Sequence, residues 1–177
     1  MAERIEVLFR KKADAKKRKF VLGLNDYDSF AVVGGGGTRT RGLYEAVSDW
    51  SPVVFVSFSS DGALSARSHG THGITIINVP KTAAHVADQI RINAQFHISA
   101  DDIVASHHCT DNPWLNAVYR ILRQSARCIV IEHCYLARLP LAWGDRFVYS
   151  SQNNETILKQ RLLEWHPLRK EIGRAHV

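Results

Sequence analysis

The sequence predicts an α/β domain, a Rossmann-like three-layer fold around a mostly parallel sheet. Two observations predict it. Short apolar runs of strand length alternate with longer segments whose apolar residues recur at helical spacing. That alternation implies crossover connections and a sheet covered on both faces. About 150 residues follow a charged N-terminal stretch, enough for one well-buried core.

The elements follow in order. Ser29 to Val33 reads as a first strand, closed by Gly34 to Gly37. Leu43, Ala46, Val47 and Trp50 fall on one face of a helix. Val53 to Phe58 is a second strand, and Gly73 to Val79 a third, stopped by Pro80. Ala83, Val86, Ala87 and Ile90 form another helical stripe. Ile103 to Ser106 reads as a fourth strand. Leu115, Val118, Tyr119 and Leu122 line a helix that Pro113 suits at its first turn. Cys128 to Glu132 is a fifth strand and Arg146 to Ser150 a sixth. Leu158, Leu162 and Trp165 form the last amphipathic face, before Pro167.

Composition narrows the class. The chain is 45% hydrophobic and 23% charged, as ordinary globular proteins are. It has no apolar run of membrane-spanning length and no secretory leader pattern. Cys109, Cys128 and Cys134 form no C-x-x-C pair, and read as reduced thiols in a cytoplasmic protein. Residues 1–19 hold eight basic and three acidic side chains, which is +5 of the net +6. The basicity therefore belongs to an N-terminal extension, and no nucleic-acid-binding face is expected. Such a tail either stays solvated or makes weak contact with an anionic membrane surface.

In parallel sheets ligands sit beyond the carboxyl ends of the strands. Three strand ends carry polar or glycine-rich signal. The first is VGGGGTRTRG, in which Gly35, Gly36 and Gly37 let backbone approach a ligand closely, and a helix N-terminus behind them attracts anions. Thr38 suits the helix cap. A tight structural turn fits the same residues. A dinucleotide fingerprint would need glycine where Arg39 and Thr40 stand, and a Walker A loop would need lysine after Gly42, where Leu43 stands. Neither NAD nor ATP is expected. The second is IVIEHCYL, where Glu132 ends a strand and His133 opens a loop, placed to orient a hydroxyl or move a proton. The third is VYSSQNNE, where Gln152, Asn153 and Glu155 crowd a strand-to-helix turn as ligand contacts, helix caps, or both. His107, His108 and Cys109 suggest no metal, because neighbours on an extended segment point to opposite faces.

These strand ends, in this order, resemble the N-terminal domain of group 1 glycosyltransferases of GT-B architecture. GGGGTRTRGLYEAV is similar to that family's glycine loop and first helix. EHCYL is similar to its E-H-P-Y-L stretch, with Cys134 in place of proline. YSSQNNET is similar to its Y-x-S/A-H-N-x-E turn, with Gln152 in place of histidine. The resemblance implies half of a two-domain fold, spanning residues 20–170. It implies an acceptor-side domain of a nucleotide-sugar-dependent, retaining glycosyltransferase that needs no metal or other cofactor. His133 would contact the transferred sugar or orient the acceptor. Gly35, Gly36, Gly37, Thr38, Glu132, Gln152, Asn153 and Glu155 would bind substrate. The acceptor would be a glycan or a small molecule. The donor would bind a C-terminal domain missing from this chain, which is then expected to be inactive alone. A non-catalytic binding module of the same fold is the alternative.

Glu171 to Val177 read EIGRAHV and do not continue the preceding pattern. One codon spelling of that string resembles the start of a common sequencing adapter. Residues 171–177 are accordingly expected to be a non-native tail.

Overall fold

A computed structural model describes residues 19–32, 34–59, 61–70, 73–96 and 101–151. Six strands form one sheet: β1 (Phe20–Asn25), β2 (Val53–Ser59), β3 (Ser65–His69), β4 (Ile74–Pro80), β5 (Ala126–Ile131) and β6 (Val148–Tyr149). The helices are α1 (Gly35–Ser48), α2 (Ala83–Phe96), α3 (Asp101–His108), α4 (Pro113–Leu122) and α5 (Arg138–Ala142). A 3₁₀ turn, Cys134–Leu136, links β5 to α5. Gln152, Asn153, Glu155, the Leu158/Leu162/Trp165 stripe, residues 1–18 and residues 171–177 lie outside the described residues.

Strand order across the sheet is β3-β4-β2-β1-β5-β6. The ladders β4/β2, β2/β1, β1/β5 and β5/β6 are parallel. Only β3 runs antiparallel, as an edge hairpin on β4. This is a Rossmann-like, mostly parallel α/β domain. The chain builds outward from β1 to β2 and β4, then returns to β1's other side with β5. The strand order therefore reverses between β1 and β5.

Apolar side chains leave both faces of the sheet. Val53 and Phe55 of β2 and Ile74 and Ile76 of β4 pack with Phe30 and Tyr44, beneath α1. Val56 and Phe58 of β2, Ile77 and Val79 of β4 and Leu22 and Leu24 of β1 pack on the opposite face. That larger cluster takes Ala105 from α3, Leu115, Val118, Tyr119 and Leu122 from α4, and Leu139 from α5. The α4 stripe is buried as its spacing predicts. Asn112 caps α4, accepting from the Leu115 amide at 2.9 Å, while its own amide donates to Pro80 O at 2.9 Å.

Several elements differ from the sequence reading. The first strand is Phe20–Asn25, and Ser29 to Ala31 form a turn that sinks Phe30 into the core. Gly23 obscured that strand, since glycine weakens a strand pattern. Its missing side chain makes room for Tyr44, whose hydroxyl would stand 2.5 Å from a Cβ there. Ile103 to Ser106 are helical, within α3. Asp101 and Asp102 in the first turn and His107 and His108 in the last complement the helix dipole. His107 and His108 are thus successive helical residues, not extended ones. The apolar stripe of α2 is turned outward, with Val86 and Ile90 exposed, and of the stripe predicted for α1 Leu43 is exposed and Trp50 lies exposed beyond the helix. The buried face of α1 is instead Gly37, Thr40 and Tyr44, with Val47 packed beside them.

Candidate functional site

Polar residues gather at the carboxyl edge of the sheet. Asn25, Ser57 and Asn78 stand in register across β1, β2 and β4, forming a buried polar row just inside that edge. Ser57 Oγ donates to Asn78 Oδ1 at 3.3 Å. Asn78 Nδ2 donates to Asp28 Oδ2 at 2.9 Å. Asp28 also takes Arg67 from β3 at 2.7 Å and the Phe30 amide at 3.0 Å. One carboxylate thus ties the turn after β1 to two strands. Asn25 Nδ2 holds the same turn, donating to Ser29 Oγ at 2.7 Å and Tyr27 O at 3.0 Å.

That turn delivers the glycine segment. Gly37 faces inward: a Cβ there would lie 2.8 Å from Val32 O and 3.1 Å from Ser29 O. Gly34 and Gly35 face open space. Gly35, Gly36 and Gly37 form the first turn of α1 rather than a separate loop. Gly34 is the N-cap, no side chain caps the helix, and its first turn holds no acidic residue. Its N–H groups therefore present uncompensated positive character toward the sheet edge. Thr38 is not the cap. It lies inside the helix, its amide bonded to Gly34 O at 2.8 Å, because the helix begins earlier than an N-cap threonine would allow.

Glu132 has no exposed surface. Its amide donates to Leu24 O at 3.1 Å, which pins the end of β5 to the end of β1. Its Oε2 accepts from Ser150 Oγ at 3.2 Å and lies 3.7 Å from Arg39. Arg39 also reaches Ser150 Oγ and Ser151 O, at 3.5 and 3.4 Å. Glu132 thus holds Arg39, half exposed, between the start of α1 and the residues after β6. Burial first, and the Glu132 charge second, push the Tyr44 phenol well above its ordinary range.

His133 follows in extended backbone, with both ring nitrogens buried. Its ring lies 6.1 Å from Tyr27 and stacks 5.8 Å from Tyr135. It faces Asp26, the first residue after β1. Asp26 Oδ1 is buried with no hydrogen-bond partner among the described residues. Burial pushes this carboxyl up to about 6, against the pull of the His133 charge; Asp102 and Lys81 also face it. Asp26 and His133 lie just past the ends of β1 and β5, the two strands between which the strand order reverses. In sheets of this kind that crevice is where ligands bind. A groove of about 290 Å³ is lined by Ser59, Lys81, Val86 and Ile90 among others, at the ends of β2 and β4 and along α2.

The structure therefore brings together His133, Glu132 and the start of α1, which the sequence singled out. It adds Asp26, Arg39, Lys81 and Asp102, which the sequence reading passed over. Asp26 carries no sequence signal because the apolar run Ser29 to Val33, one segment later, reads as the strand in place of β1. Among the described residues no three His, Cys, Asp or Glu side chains are grouped to hold a metal ion. No described helix is long and apolar enough to cross a membrane.

No protein-family model matches this sequence, and no curated protein matches it. Solved structures similar to it include a trehalose-6-phosphate structure from E. coli bound with UDP-2-fluoro glucose, at TM-score 0.45 and 15% identity over 74% of this chain. An α,α-trehalose-phosphate synthase (UDP-forming) from Burkholderia xenovorans, in complex with glucose-6-phosphate, is similar at TM-score 0.47 and 14% identity over 89%. Another from Burkholderia vietnamiensis is similar at TM-score 0.43 and 15% identity over 86%. The chain covers 32%, 38% and 36% of those proteins. Similarity at this level assigns no chemistry to this chain.

Proposed function

We propose that this chain is the acceptor-side half of a nucleotide-sugar-dependent glycosyltransferase, inactive without a donor-binding domain. The observation that carries the reading is the meeting of Asp26 and His133 where the strand order reverses, beside the glycine-rich start of α1. Group transfer from a nucleotide sugar needs an oriented acceptor hydroxyl and stabilisation of the departing diphosphate. As the acceptor oxygen bonds to the sugar's anomeric carbon, the bond from that carbon to the diphosphate oxygen breaks, and the acceptor's hydroxyl proton passes to the departing diphosphate. His133 and Asp26 supply polar groups that orient the hydroxyl. The exposed amides of α1 and the Arg39 guanidinium supply positive character for the diphosphate. The motif order that resembles the glycosyltransferase family supports the same reading, including retention of configuration and no need of a metal. Gln152, Asn153 and Glu155 follow β6 in sequence and would extend the substrate contacts.

Two ligands named with the similar structures, glucose-6-phosphate and a UDP-glucose analogue, set the probes. Saturation-transfer NMR with glucose, glucose-6-phosphate and UDP-glucose tests the reading. A hexose probe should bind the wild-type chain, and His133→Ala should bind it about tenfold more weakly, the loss of one good polar contact. Equal binding by both proteins, or binding of no probe, contradicts the reading.

A further inference from the structure

A second histidine site lies outside this crevice. His85, in the first turn of α2, has no exposed surface, and both its ring nitrogens are buried with no hydrogen-bond partner among the described residues. A neutral imidazole survives there at some cost. An imidazolium, with two N–H donors and a full charge, cannot be satisfied there. The ring stands edge-on to Phe58 at 4.9 Å and lies flat against His108 of α3, centroids 5.0 Å apart and planes 14° apart. His108 Nε2 in turn meets Asp88 Oδ2 at 2.9 Å, one turn along α2 from His85. The two helices are joined at one end by this Phe58–His85–His108–Asp88 stack, and further along by Asn93 to Asp101 at 3.1 Å.

We propose that His85 is a proton-operated latch between α2 and α3, whose ring leaves the interface on acidification and frees α2. Among the described residues, four charged or titratable groups act on it. Lys81 from the β4–α2 connection and His108 from α3 oppose a charge on His85, whereas Asp101 from α3 and Asp88 from α2 favour it. Burial is the largest influence, and with Lys81 and His108 it pushes His85 down to about 4. An opened helix pair releases the ring to its ordinary value of about 6.5. Between those two values the open form binds the proton and the closed form does not. Acid therefore favours opening by up to about tenfold per pH unit within that window. Lys81 and Asp102, near the starts of α2 and α3, also act electrostatically on Asp26. The latch stands on its own geometry and does not depend on the glycosyltransferase reading.

Amide hydrogen exchange of the full chain, corrected for intrinsic exchange rates, tests it from about pH 7.5 to about pH 4.5. Protection in α2 and α3 should fall with acid, relative to β1 and β2, and His85→Phe should hold it level. Acid loss as steep in His85→Phe as in wild type, or no loss in wild type, overturns the latch. Should His85→Phe fail to fold, histidine ring NMR of the wild type decides. A His85 midpoint below the ordinary histidine value, falling with lost α2 protection, supports the latch. A midpoint at or above that value overturns it.

Discussion

At the scale of single residues, the burial of Asp26 costs stability. Its carboxyl is pushed from 3.8 up to about 6, so the folded state resists its ionisation. The cost is absent below the unfolded value, grows as pH rises through the interval between the two values, and is complete above about 6. Asp26→Asn should therefore stabilise the chain near neutral pH by on the order of 1–3 kcal/mol while weakening sugar binding. Urea denaturation at neutral and at acid pH checks this, since the gain must vanish in acid. The glycines separate in the same way. Gly37→Ala drives a Cβ to 2.8 Å from the Val32 carbonyl and should cost about 1–3 kcal/mol. Gly35→Ala meets nothing within 4 Å and should leave stability unchanged or raise it by up to about 1 kcal/mol in helical backbone. Denaturation of the two variants side by side distinguishes a structural glycine from one kept for a ligand. His133 was legible in sequence because an apolar strand visibly ends just before it. Asp26 was not, because Gly23 and the adjoining lysines masked β1.

At the scale of elements, α4 shows how local sequence and tertiary packing agree. Its cap residue is fully engaged, so Asn112→Ala loses both the Leu115 amide bond and the contact to Pro80 O. A loss of about 1–3 kcal/mol is expected in a thermal or urea melt. Within α4, Tyr119 donates to Asp145 at 2.7 Å, and Arg123 at the helix's C-cap grips the same carboxylate. Burial and then Asp145 push the Tyr119 phenol well up, and Arg123 chiefly holds Asp145 below the usual carboxylate range. Tyr119→Phe should cost about 1 kcal/mol and leave sugar binding intact, since this cluster lies away from the strand reversal. The α4 periodicity was legible because its whole apolar stripe is inside. The stripes of α1 and α2 misled, because there the inward face carries Gly37, Thr40 and His85, which no hydrophobic pattern marks. Ile103 to Ser106 were apolar enough for a strand, and the two acids before them were the overlooked helix-start signal.

At the scale of the whole molecule, strand order decides where chemistry collects. The alternation of strands and helices made the parallel α/β class legible. The order β3-β4-β2-β1-β5-β6 was not, because pairing depends on long-range contacts that periodicity does not encode. That order sets β1 beside β5, so that Asp26 and His133, more than a hundred residues apart in sequence, share one crevice. The most direct measurement is an amide chemical-shift map of the isotope-labelled chain titrated with glucose, glucose-6-phosphate and UDP-glucose at millimolar concentration. A ligand site at the strand reversal predicts saturable shifts in the turn after β1, the first turn of α1 and the residues following β5, all saturating at about tenfold higher ligand concentration in His133→Ala. Shifts scattered over other surfaces, or none for any probe, would contradict it.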